Sequence, residues 1–92
     1  MGALNEEFEL DCYCGQCSNG AMVTVVDGAA SFAWEVDGET GVTVLEGNEL
    51  ALALDFAEFN FGGSVELWID TGTADELRAW LVARGVVLVE GG

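Results

Sequence analysis

Apolar and polar residues alternate with period two along much of this chain, the pattern of strands with one buried face. Phe8, Leu10, Cys12 and Cys14 fall on one side of a first segment, with Glu7, Glu9, Asp11 and Tyr13 on the other. A turn over 15–20 leads into the run Met22-Val23-Thr24-Val25-Val26. Phe32, Trp34 and Val36 then alternate with Ala33, Glu35 and Asp37. Asp37-Gly38-Glu39-Thr40-Gly41 reads as a hairpin connection into a returning strand over 42–45. Residues 49–61 fit two periods. Leu50, Leu52, Leu54 and Phe56 alternate as a strand does, yet Ala and Leu favour helix and Asn48 could cap one. The alternation favours a strand, with an irregularity at Ala57-Glu58 before Phe59 and Phe61. Gly62-Gly63 turns into a further strand, with Val65, Leu67 and Ile69 opposite Glu66, Trp68 and Asp70.

One helix stands out, over about 73–84. Thr73-Ala74-Asp75-Glu76 matches a capping box, Leu77, Trp80 and Leu81 form an apolar stripe, and Arg84 and Gly85 suit its end. Val86 to Val89 predicts a last strand. The expected fold is α+β: an antiparallel sheet of about five to six strands with this helix packed on a face. At 92 residues the chain fits a single domain, 1–92, and 51% hydrophobic residues can fill its core.

Charge changes the picture. Seventeen Asp and Glu stand against Arg78 and Arg84, with no Lys and no His, for a net charge of −15. Disordered acidic chains lack apolar and aromatic residues, and this one has both. A folded domain therefore carries the charge, at a cost in self-repulsion. Nucleic acid and the anionic face of a membrane would repel it, so the expected partners are cationic. No apolar run is long enough to span a bilayer. Residues 1–7 lack the basic and apolar regions of a signal peptide, so a cytoplasmic location is expected.

The chemistry of the side chains points away from catalysis. Without His or Lys the commonest general base and the amine nucleophile are missing. Carboxylate pairs are unavoidable among so many acids and signal nothing. Cys12, Cys14 and Cys17 form C-x-C and C-x-x-C spacings that suit a metal or a Cys14–Cys17 disulfide. Three thiols fall short of the four ligands of structural zinc, and Asp11 or a second chain would have to complete the set. The favoured reading is that Cys12 and Cys14 fill the core side of a strand as small hydrophobes while Cys17 sits in a turn, with no cofactor.

The acids fall in an order. Side chains at i and i+2 of a strand share a face about 6.6 Å apart. Glu7, Glu9 and Asp11 make one row, and Glu35, Asp37 and Glu39 extend a second into the hairpin. Glu66 and Asp70 flank Trp68, which would stack on an arginine if exposed and belongs to the core if a helix covers it.

In size, charge, scarcity of basic residues and these acidic rows, the chain resembles the small acidic DNA-mimic proteins of phages and mobile elements, including anti-CRISPR and anti-restriction inhibitors. The resemblance implies a bacterial or archaeal host. It also implies a basic nucleic-acid-binding protein as partner, a CRISPR effector subunit among the candidates. Carboxylates would there replace phosphates. Two other readings stand beside it: salt adaptation of a halophile protein, and a Cys-based metal or redox module.

Overall fold

The computed structural model describes residues 6–12, 19–61 and 66–88. Two Asp-Gly dipeptides set its framework. Asp27 and Gly28 have φ of 52° and 81°, and Asp37 and Gly38 of 55° and 83°. Two successive residues at positive φ make the tight hairpin turn whose twist matches the flanking strands. These turns join β2 (Gly20–Val26), β3 (Ala29–Val36) and β4 (Glu39–Leu45), and β1 (Phe8–Asp11) pairs with β2. The result is a four-stranded antiparallel sheet in the order β1-β2-β3-β4.

The expected strand over 49–61 is instead α1 (Gly47–Phe56) followed by β5 (Glu58–Asn60). Leu50, Ala51, Leu54 and Ala57 are buried, while Leu52 and Phe56 face solvent. That is a helical stripe, and it overrides an alternation produced by Ala and Leu filling every other place. The irregularity expected at Ala57 is real: Ala57 takes φ of 55° and ends the helix, its N–H donating to the carbonyls of Ala53 and Leu54. β5 pairs antiparallel with β6 (Glu66–Trp68) in a second, two-stranded sheet.

The predicted C-terminal helix is α2 (Thr71–Ala83), and it begins earlier than the capping box suggests. Asp70 is its N-cap, accepting from the Gly72 N–H at 3.1 Å. Residues 86–88 form no strand, and Val89 lies outside the described residues. The fold is thus α+β as expected, and the described residues form two helices where one was expected and six strands divided between two sheets.

One face of the large sheet carries the core. Phe32 on β3 meets Phe59 and Phe61 with ring centroids 5.1 and 5.6 Å away. Trp34 stacks on Phe61 and donates from Nε1 to Thr43 Oγ1 at 3.1 Å. The Thr43 hydroxyl in turn donates to the Phe61 carbonyl at 3.2 Å. Gly41, opposite Trp34, is required there: a Cβ would lie 2.4 Å from the indole. Leu50 and Leu54 of α1 and Leu77 and Leu81 of α2 complete the cluster. No polar or charged residue is buried among the described residues.

A candidate acidic docking site

β1 is held from behind. Phe8 packs on Trp80 of α2, with centroids 5.6 Å apart. Arg84 sits 4.2 Å over the Trp80 ring, donates to the Trp80 carbonyl and pairs with Glu6 at 2.7 Å. The strand's alternate side chains, Glu9 and Asp11, are exposed and face away from the core. Glu7 precedes the strand and is also exposed.

Sheet register brings a third carboxylate to them. Asp11 pairs with Gly20, Gly20 with Glu35, and Glu35 with Thr40. Glu35 thus stands two strands from Asp11, about 10 Å away at the usual spacing, on the same outer face. Gly20 between them contributes no side chain. In the adjacent register Glu9, Met22, Ala33 and Val42 lie in line across the sheet. Together these residues line an open depression of about 550 Å³, with Glu9 and Asp11 at its β1 side, Glu35 across Gly20 on β3, and Met22, Ala33 and Val42 beside them.

Glu9 and Asp11 also border a second depression of about 340 Å³. Asp70 and Glu76, from the start of α2, line it with them, beside Thr73. β1 therefore forms an acidic ridge between two hollows. Asp70 and Glu76 were not foreseen as neighbours of β1, and nothing short of the packing of α2 against that strand would have placed them there.

The second acidic row breaks where the chain turns. Glu35 lies on the outer face, Asp37 in the positive-φ turn, and Glu39 pairs with Val36, whose side chain points to the core side. All three are exposed, but they share no line. The Asp37 N–H donates to Asn19 Oδ1 at 2.9 Å, which ties this turn to the residue before β2.

Glu66, Trp68 and Asp70 do share a face, alternating with buried Leu67 and Ile69. Trp68 is 55% exposed and donates from Nε1 to Glu66 Oε1 at 3.3 Å, so no helix covers it. Cys12 is half-buried against the core, its N–H donating to the Asn19 carbonyl. Cys14 and Cys17 lie outside the described residues, and no group of three or more metal-ligating side chains occurs among those described.

Both basic side chains are engaged elsewhere. Arg78 pairs with Asp55 of α1 at 2.6 Å, and Arg84 with Glu6. No Lys or Arg remains to face Glu9, Asp11 or Glu35. No helix among the described residues is long and apolar enough to cross a membrane. No family model, curated protein or solved structure matches the chain.

Proposed function

We propose that this chain is a non-enzymatic inhibitor that occupies a basic nucleic-acid-binding site on another protein, its carboxylates standing in for phosphates. A CRISPR effector subunit is one partner of this kind. The observation that carries the reading is the shared outer face of Glu9, Asp11 and Glu35 in a chain whose two arginines are committed to other acids. Such a surface destabilises the fold by self-repulsion and gains when a Lys/Arg-lined cleft neutralises it. Each lysine or arginine so engaged displaces cations gathered about the acidic surface, as it displaces those condensed on DNA. Holding the acids on strands, with no side chain to reorganise around a cation of its own, favours a rigid and complementary encounter.

The test is capture from a bacterial lysate on the immobilised chain, followed by elution with excess duplex DNA. Proteins that bind should be released by DNA and should be absent from a column bearing E9K/D11K/E35K. Captured proteins that DNA does not displace, or that the charge-reversed chain retains equally, would overturn the reading.

A further inference from the structure

We propose that the outer face of the four-stranded sheet receives a basic amphipathic helix of the partner, its apolar stripe over Val42 and Val44 of β4 and its arginines or lysines toward Glu9 and Asp11 of β1 and Glu35 of β3. This rests on the function proposed above and specifies the form of the basic site. The inner face of the sheet is sealed by helices and the β5–β6 hairpin, while the outer face is bare among the described residues. It carries exposed valines among its polar and acidic residues. Val42 is 67% exposed, and Val26 and Val44 are each 56% exposed. They share that face with Met22 and Ala33, with the hydroxyl residues Thr24, Ser31 and Thr40, with Glu9 and Asp11 on β1, and with Glu35 on β3 beside β4.

The physics of the face selects its occupant. Backbone groups of β2 and β3 are paired within the sheet, so whatever lies across them must satisfy its own backbone donors and acceptors. A helix does this along its length; an extended segment does not. A second copy of this chain is disfavoured, since it would set one acidic ridge and a net charge of −15 against another. A cation-bearing helix meets both halves of the face at once. Its apolar stripe covers the valines, and its flanking guanidinium groups reach the carboxylates in paired hydrogen bonds. A cationic helix is also the element that many DNA-binding proteins insert into the major groove, which links this geometry to competition with DNA.

The probe is a synthetic peptide of about 15 residues, long enough to form a helix once docked. Leucines at helical spacing form one stripe and arginines fill the rest. A control of the same composition has its leucines scattered around the helix. Amide chemical shifts of the isotope-labelled full chain report where each peptide binds, and a titration gives its affinity.

The patterned peptide should bind about tenfold more tightly than the scrambled one. Its largest shifts should fall on Glu9, Met22, Ala33 and Val42. V42T/V44T, which keeps both side chains β-branched, should reduce the patterned peptide to the scrambled level while leaving the spectrum otherwise native. If both peptides bind equally and E9K/D11K/E35K abolishes both, the helix proposal is overturned and the electrostatic reading stands. If the patterned peptide binds but E9K/D11K/E35K leaves it unaffected, both fail. No binding by either peptide, or shifts centred on Glu66 and Trp68, also overturns the helix proposal.

Discussion

The two faces of the large sheet are made from the same strands and share the same backbone ladder, yet they follow opposite rules. On the inner face Phe32, Val23 and Leu10 are at most 1% exposed and meet aromatic and leucine side chains from every later element. On the outer face the intervening residues include Glu9, Asp11, Met22, Thr24, Ser31, Ala33, Glu35, Thr40, Val42 and Val44, a mixture of acidic, hydroxyl and apolar side chains. An antiparallel sheet can leave one face in water, and such a face is normally polar. This one holds exposed valines and carboxylates together and has no lysine at all. The inner face is explained by folding alone.

Substitutions on adjacent residues should separate the two faces. Phe32→Ala removes a fully buried ring and should cost about 3–5 kcal/mol. Its neighbour Ala33→Ser, on the exposed side, should stay within about 0.5 kcal/mol, both read by urea unfolding followed by circular dichroism. The next contrast lies on β4. Gly41→Val drives a side chain into the Trp34 indole and should cost about 1–3 kcal/mol or more. Val42→Thr beside it should be close to neutral for stability, since Val42 is largely exposed.

Smaller effects test how α2 is set behind β1. Asp70→Ala removes the observed cap and should cost about 1 kcal/mol. Thr73→Ala should cost clearly less, because Thr73 lies within the helix and not at its cap. Arg78→Gln breaks the partly exposed pair with Asp55 and should cost about 0.2–1 kcal/mol, less in molar salt. A larger loss for Thr73→Ala than for Asp70→Ala in thermal melts would contradict the observed cap.

Much of the framework was legible in the alternation of residues. Phe32, Trp34 and Val36 are inward as their spacing predicts, and Asp37-Gly38 turns the chain, although the returning strand begins at Glu39 and not at 42. Asp27-Gly28 carries the same signal. It is easily passed over because the small residues Ala29 and Ala30 follow it and weaken the strand pattern there. Residues 50–56 were misleading for a physical reason: with Leu and Ala in every place from 50 to 54, period two and the helical period both fit. Burial of Ala51 and exposure of Phe56 decide between them. The acids of β1 were recognisable individually, but their meeting with Glu35 depends on a register through Gly20, and their meeting with Asp70 and Glu76 on helix packing. Neither distance is encoded in local spacing. The row through Glu35, Asp37 and Glu39 failed because a strand's period does not continue through a turn.

The most direct measurement concerns one variant, E9K/D11K/E35K, followed for both stability and binding. Each acid-to-lysine change removes two units from the net charge of −15, so self-repulsion falls. The account predicts a higher melting temperature at low salt, a native amide spectrum, and complete loss of DNA-displaceable partner capture. A natively folded variant that still captures those partners would contradict it.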